Sequence, residues 1–343
     1  MLGEVQDFTG SCKRERLRVA ITSGLPHVLG LSAWYTGASN HPAKPANCAE
    51  HLPQTKKGAI LMKPTERAEI LVQALPYIRK YTGKIVVIKY GGNAMTSESL
   101  KQQVMEDIVL LRLVGVNVVL VHGGGPEIND LMKRLGKVPE FIDGLRVTDK
   151  ETVDIVQMVL AGKINKSLVG LLEAKGARAA GLSGVDDRLI EAKCKDPRLG
   201  FVGEVTKVNP DIVYDLLAKN YIPVISTIGY GTDGETYNIN GDTAAAYIAG
   251  ALKAERLIMM TDIAGILRDP QDPATLIPEI TVAEAQQLRE SGVISGGMIP
   301  KAECCIKAIT EGVNKVIIMD GRVPHSILIE LLTDEGAGTM FLA

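Results

Sequence analysis

The sequence predicts an α/β fold in which a mostly parallel sheet is covered by helices on both faces. Three observations point to it. Short, continuous apolar runs recur along the chain, helix-period segments separate them, and no linker or shift in composition divides the region after Thr65. A strand buried on both faces carries apolar residues at successive positions, because neither face meets water. Parallel neighbours need crossover connections, and helices supply them.

The elements follow in chain order. Residues 64–81, PTERAEILVQALPYIRKY, read as a helix with Leu71, Leu75 and Ile78 on one face, kinked at Pro76 and ended by Gly83. This helix has no obvious core to join and is expected to pack on another subunit. From Lys84, KIVVIKY is a strand, SESLKQQVMEDIVLLRLVG a helix, NVVLVH a strand and PEINDLMKRLG a helix. TVDIVQMVLAGKINKSLVGLLEAKG reads as one long helix. A β-rich stretch around FVGEVTKV, the helix DIVYDLLAKN and the strand YIPVIST come next. The last third repeats the alternation, with DTAAAYIAGALKA a helix, RLIMMTD a strand, TVAEAQQLRESG and PKAECCIKAITEG helices, NKVIIMD a strand and PHSILIELLTD a helix.

Residues 1–60 read differently. Lys13, Arg14, Arg16 and Arg18 cluster, Ser, Thr, Pro and His scatter, and no period persists. The segment fits a disordered tail or an organelle transit peptide removed before Thr65, although Glu4, Asp7 and Glu15 depart from the acid-poor pattern. The formal charge of −2 over 343 residues gives no general attraction to nucleic acid or to a membrane. No unbroken apolar stretch approaches the roughly 20 residues of a bilayer span. Five cysteines without a Cys-x-x-Cys pair make neither a disulfide framework nor a zinc site, which fits a reducing compartment. The glycosylation pattern Asn165-Lys166-Ser167 lacks a secretory signal and reads as chance.

Two glycine turns concentrate the chemistry. Lys89-Tyr90-Gly91-Gly92 follows the first strand, and His122-Gly123-Gly124-Gly125-Pro126 follows the second. Ligands of α/β sheets bind at the carboxyl ends of strands. Glycines there let backbone N–H groups approach an anion, and the following helix N-terminus adds favourable partial charge. Neither turn is a Walker A loop. Gly229-Tyr230-Gly231-Thr232-Asp233-Gly234 matches the dinucleotide pattern but leads into ETYNIN and not a helix, so it reads as a loop. No G-x-S-x-G elbow accompanies the His-Gly-Gly-Gly run, which argues against an esterase.

Charged residues flank these turns. Lys89 ends an apolar strand beside the first turn, and Lys301 opens a helix next to glycines, where the macrodipole disfavours a cation. Asp242 is placed as the N-cap of the DTAAAYIAG helix. Arg146, between Gly144 and Thr148, has the two-pronged donor set that grips a carboxylate. Asn238 and Asn240 alternate, so both can point to one side of an extended strand and offer an amide to an acylamino group.

KYGG, VHGGGPEI, DGLRVT, YNINGDTAA, MTDIAGIL and GGMIPK, in this order and spacing, resemble the N-acetylglutamate kinases of the amino-acid kinase family. The resemblance covers roughly residues 65–343. Gly241 stands where bacterial members often have alanine. It implies a three-layer α-β-α sandwich with an open, mainly parallel central sheet. Residues 64–343 would form this domain, with an oligomerisation helix over 64–82, an acetylglutamate lobe over about 83–240 and an ATP lobe over about 241–343.

The implied activity is ATP-dependent phosphorylation of the γ-carboxylate of N-acetylglutamate in arginine biosynthesis. Lys89 and Lys301 would stabilise the phosphoryl group in flight, with Asp242 holding both. Gly91, Gly92 and Gly124 would donate N–H groups to phosphate oxygens, and Gly124, Gly125, Arg146 and Asn238 would hold the acceptor. Thr261, Asp262, Ile263, Gly265, Ile266 and Leu267, with Val293, Ile294 and Ser295, would form the nucleotide wall. Magnesium would ride on the ATP phosphates, without a dedicated metal site.

The first helix and the tail HSILIELLTDEGAGTMF resemble those of arginine-inhibited hexameric members, with Glu335 and Gly338 as candidates for the inhibitor. The motif wording resembles plant, algal and cyanobacterial members, which implies a plastid location and a PII signalling partner. Another amino-acid kinase acting on a carboxylate and an inactive arginine-sensing scaffold are the alternatives. Intact Lys89, Asp242 and Lys301 count against the second.

Overall fold

The computed structural model describes residues 62–95 and 97–343, and the expected transit segment lies outside the described residues. The first helix forms in two pieces, α1 (Pro64–Gln73) and α2 (Leu75–Tyr81), with Pro76 at the second position of the second piece. Proline has no N–H to continue the ladder, so the break falls where the sequence places it. α1 buries no residue, leaving Leu71 and Val72 at 73% and 67% exposure, whereas α2 buries Tyr81.

β1 (Ile85–Tyr90), α3 (Glu98–Leu113), β2 (Asn117–His122) and α4 (Gly125–Arg134) alternate as the pattern requires. A hairpin of two-residue strands follows, β3 (Phe141–Ile142) and β4 (Leu145–Arg146), too short for a period to announce. The expected long helix is α5 (Lys150–Gln157), a π-helical turn Met158–Ile164 and α6 (Asn165–Ala174). By length and composition Lys150–Ala174 could cross a membrane, although Lys163, Asn165 and Lys166 interrupt its apolar run. Here Ile155, Val156, Leu160, Leu168 and Leu172 face the core, as in a buried helix of a sheet protein.

β5 (Ala179–Ser183), β6 (Ile190–Cys194), β7 (Gly203–Val208), α7 (Asp211–Ala218) and β8 (Ile222–Ser226) come next. The GYGTDG string then turns the hairpin of β9 (Ile228–Gly231) and β10 (Thr236–Asn238), so it opens no helix. The remainder is α8 (Gly241–Ala251), β11 (Arg256–Thr261), β12 (Glu279–Thr281), α9 (Val282–Glu290), α10 (Met298–Thr310), β13 (Lys315–Asp320), α11 (Ser326–Leu332) and β14 (Gly338–Leu342).

Among the described residues, eight strands form the central sheet in the order β12-β14-β13-β11-β1-β2-β8-β5. From β13 to β5 every pair is parallel, and β14 runs antiparallel to β13 with β12 alongside it. Alternate residues of one strand face opposite layers. Val86, Ile88 and Tyr90 of β1 join a core with α3, α6 and α11, and Val87 joins the other core with α7, α8 and α10. This is the three-layer sandwich. A smaller sheet, β10-β9-β6-β7, packs beside α8 and α5.

Candidate active site

The site lies where the carboxyl ends of β1 and β2 meet α8 and α10. Lys89 shares the face of Val87, so alternation aims it at α8. Its ammonium is 2.9 Å from Asp242 Oδ1 and 3.5 Å from the Met260 carbonyl. A Cβ at Gly91 would stand 2.9 Å from Lys89 Nζ, so the first glycine turn folds directly over this ammonium. Lys301, on the first turn of α10, donates to Asp242 Oδ2 at 2.8 Å.

Asp242 is not the N-cap of α8. Asn240 takes that role, its Oδ1 accepting from the N–H groups of Asp242 and Thr243 at 3.0 Å each. Capping by Asn240 leaves both carboxylate oxygens of Asp242 for the lysines. It also consumes Asn240, so of the two alternating asparagines only Asn238 keeps a role in holding an acceptor. Burial opposes ionisation of Asp242, yet the charges of Lys89 and Lys301 prevail and hold its carboxyl at about 2. The cluster of two ammoniums and one carboxylate therefore carries a net positive charge at neutral pH.

Beside it is a cavity of about 310 Å³ lined by both glycine turns, Arg146, Asn238 and Asp242. Arg146 ends β4, only 7% exposed, and its guanidinium lies 4.8 Å over the Phe141 ring. It donates to the Gly125 carbonyl at 3.4 Å, and among the described residues no carboxylate pairs with it. Burial lowers its pKa, the expected sign for a cation without a counter-charge. Asn238 ends β10 and donates to Thr148 Oγ1 at 3.3 Å. Gly124 is confined by the π-helical turn, since a Cβ there would fall 2.2 Å from Ile164 Cδ1 and 2.7 Å from Leu160 Cδ2. Gly92 turns at φ 69° beside the Asp262 carboxylate.

The structure brings Lys89, Asp242, Lys301, Arg146, Asn238 and both turns together. It does not gather the predicted nucleotide wall into the same cavity. Thr261 and Asp262 stand at the carboxyl end of β11, next to β1. Ile266 and Ile294 are core side chains. Gly265 is pinned against Thr339, and Leu267 bridges to Leu276. Ile263 and Ser295 remain exposed. The sequence reading missed Phe141, Thr148, Leu160 and Ile164. Phe141 stands five residues before Arg146, a spacing that a two-residue strand pair makes meaningful only once folded.

Comparison with known proteins identifies the family. The model of the amino acid kinase family matches residues 84–320. Acetylglutamate kinase of Desulforamulus reducens is 54% identical over 289 residues, covering 82% of this chain and 100% of that protein. Acetylglutamate kinase of Clostridium beijerinckii is 53% identical over 283 residues, covering 82% and 99%. A solved N-acetylglutamate synthase from Neisseria gonorrhoeae, complexed with coenzyme A and N-acetyl-glutamate, superposes with a TM-score of 0.71 at 27% identity. It matches 80% of this chain, which spans 63% of that one. Giardia carbamate kinase, 18% identical with a TM-score of 0.56 over 76% of this chain and 98% of its own, shares the fold.

Fold and site thus define a kinase of the α/β class. The chain belongs to the amino acid kinase family and, within it, to the acetylglutamate kinases.

Proposed function

We propose that this chain transfers the γ-phosphoryl group of ATP to the γ-carboxylate of N-acetyl-L-glutamate, giving N-acetyl-L-glutamyl 5-phosphate and ADP in arginine biosynthesis. The observation that carries the proposal is the Lys89–Asp242–Lys301 bridge beside a cavity holding two glycine turns and Arg146, which pairs with no carboxylate among the described residues. The acceptor carboxylate is already ionised at neutral pH, so no base is needed. One carboxylate oxygen bonds to the γ-phosphorus while the bond from that phosphorus to the ADP oxygen breaks. Catalysis is then positioning and charge neutralisation.

Lys89 and Lys301 neutralise the oxygens of the group in transfer, and Asp242 sets the two ammoniums at a fixed separation. Gly91, Gly92 and Gly124 donate N–H groups to phosphate oxygens. Gly124, Gly125, Arg146 and Asn238 hold the acceptor, with Arg146 on a carboxylate through paired hydrogen bonds. Thr261, Asp262, Ile263, Gly265, Ile266 and Leu267, with Val293, Ile294 and Ser295, form the nucleotide wall, Ile266 and Ile294 through backbone. Magnesium would arrive on the ATP phosphates.

A coupled assay for acyl phosphate tests the reaction, with unacetylated glutamate and aspartate as controls. Turnover of N-acetylglutamate alone is expected. Equal rates on unacetylated glutamate would remove the substrate assignment.

The proposal extends to feedback inhibition by arginine at the corner between α2 and the loop after α11. Tyr77 is hydrogen-bonded to Asp334, which raises its phenol together with burial and the charges of Asp334 and Glu335. Two exposed carboxylates suit a guanidinium. Gly338 lies in β14, where a Cβ would stand 2.0 Å from the Ile318 carbonyl, so it offers only backbone to a ligand. An N-acetylglutamate synthase from Neisseria gonorrhoeae has been solved with coenzyme A and L-arginine, at 26% identity and a TM-score of 0.67. It matches 80% of this chain, which spans 65% of that one. Deleting the residues before Gly83 should abolish arginine inhibition, and inhibition at full strength in that variant would move the site elsewhere.

The exposed Leu71 and Val72 of α1 support a homohexamer, a trimer of dimers, built through this helix. A PII-type signalling partner and a plastid location rest on motif wording alone.

A further inference from the structure

His122, the residue ahead of the second glycine turn, has no part in the transfer described above, yet its imidazole is fully buried beneath that turn. Its Nδ1 lies 3.0 Å from the carbonyl oxygen of Gly123, and its Nε2 lies 3.2 Å from Nδ2 of Asn165. The Asn165 amide is oriented by two further contacts, from Nδ2 to the Val224 carbonyl at 2.8 Å and to the Leu182 carbonyl at 3.1 Å. Both are backbone acceptors, so the NH2 end must face them. Its two hydrogens are shared among the two carbonyls and His122 Nε2, and that end offers no lone pair to a proton on Nε2. Nδ1 then carries the proton and donates to Gly123. The opposite tautomer would set donor against donor at Asn165 and lone pair against lone pair at Gly123.

The Gly123–Gly124 peptide is planar, so its C=O and its N–H point in opposite directions. A carbonyl drawn down to the buried imidazole sends the Gly124 N–H up into the cavity that Gly123, Gly124 and Gly125 line. Rotating this peptide would put a carbonyl dipole into a site that must accept an anion. Glycine offers little steric resistance to such a rotation, so the orientation needs a clamp. The far wall of the turn comes from the same helix as Asn165, because Leu160 and Ile164 of the π-helical turn are the atoms a Cβ on Gly124 would strike.

We propose that His122 and Asn165 are positioning residues that lock the Gly123 carbonyl inward and thereby aim the Gly124 N–H at the group being transferred. The inference rests on the reading of this turn as an anion donor. The buried environment pushes the imidazole down to about 4, against the raising effects of the Gly123 contact and the Glu127 charge on α4, so the ring stays neutral at working pH. Lys166, whose ammonium donates to Asn165 Oδ1 at 3.1 Å, is the other charged group bearing on the relay.

Two isosteric variants separate positioning from packing. In His122→Asn the amide nitrogen takes the place of Nδ1 and keeps a donor for Gly123. In His122→Gln the amide sits at the level of Nε2, keeping the Asn165 contact and losing the donor. The expected result is kcat within about threefold of wild type for H122N and a tenfold to hundredfold loss for H122Q, as for a misplaced oxyanion donor, with the KM for ATP unchanged. Equal kcat for the two variants, whether both intact or both reduced, would overturn the proposal.

A second measurement needs no variant and no turnover. Long-range 1H–15N spectra of protein labelled on its five histidines should show one ring in the neutral Nδ1–H form from about pH 5.5 to 8. An Nε2–H pattern, or no untitrated ring in that range, would equally overturn it. Absence of acyl phosphate from the wild-type enzyme would sink the proposed reaction but leave this spectrum to decide the relay.

Discussion

Two charge clusters, one partly buried and one fully buried, sit at opposite ends of the same sheet. At the carboxyl end, Lys89, Asp242 and Lys301 combine two positive charges with one negative, and their cavity is open to a ligand. At the amino end of β11, Arg256 faces Glu330 at 3.9 Å, both side chains 3% exposed. Neutral groups complete this second cluster. Arg256 donates to the Tyr81 hydroxyl at 2.7 Å and 3.1 Å, and Glu330 accepts from the Ala337 N–H at 2.9 Å. One cluster has surplus charge and space; the other is balanced and closed. Burial alone therefore does not mark function. An unmatched charge facing a cavity does, because its desolvation is relieved only when an anion arrives. The closed cluster instead ties α2, β11, α11 and the loop before β14 together.

The contrast sets the order of expected effects. Lys301→Ala should lower kcat about 10²- to 10³-fold with a smaller change in substrate KM, since its charge acts on the group in transfer. An unchanged kcat in steady-state assays would exclude Lys301 from that role. Gly124→Ala should cost about tenfold or more in kcat/KM for N-acetylglutamate, because its Cβ meets Ile164 Cδ1 at 2.2 Å. Adding Ile164→Val, which removes that methyl, should restore part of the loss. Failure of the double variant to recover would show that the Ile164 contact is not the one at fault.

Glu330→Gln, at the closed end, should cost about 2 kcal/mol of stability by thermal or urea unfolding and leave kcat unchanged. A kcat defect there would end the division between the two clusters. The smallest expected effect is of pH on Asp242. Its folded pKa of about 2 is below the ordinary 3.8. Its stabilisation is thus present above 3.8 and lost as pH falls through 2. The kcat profile should show no carboxylate limb from Asp242 between pH 5 and 8, and an inflection there that vanishes in Asp242→Asn would contradict the double ion pair.

Much of this was legible in the chain. Apolar runs such as IVVIKY and NVVLVH marked central strands because both faces are buried, and glycines directly after them marked the turns. Asp242 was legible as a residue at a helix start but not in its role. A cap and a bridging carboxylate look alike until Asn240 is seen to satisfy the N–H groups. The π-helical turn left no trace, since its residues keep a helical apolar period while the ladder shifts by one.

The order of elements, the two glycine turns, Lys89, Arg146 and Lys301 follow from the amino-acid sequence, because strand runs, turn residues and charges are local properties. The bridge from β1 through α8 to α10, the burial of Arg146 over Phe141 and the inward Gly123 carbonyl belong to tertiary structure. Each joins residues far apart in the chain, 59 positions between Asp242 and Lys301 and 43 between His122 and Asn165. Packing of the two helix layers on one sheet decides which of them meet.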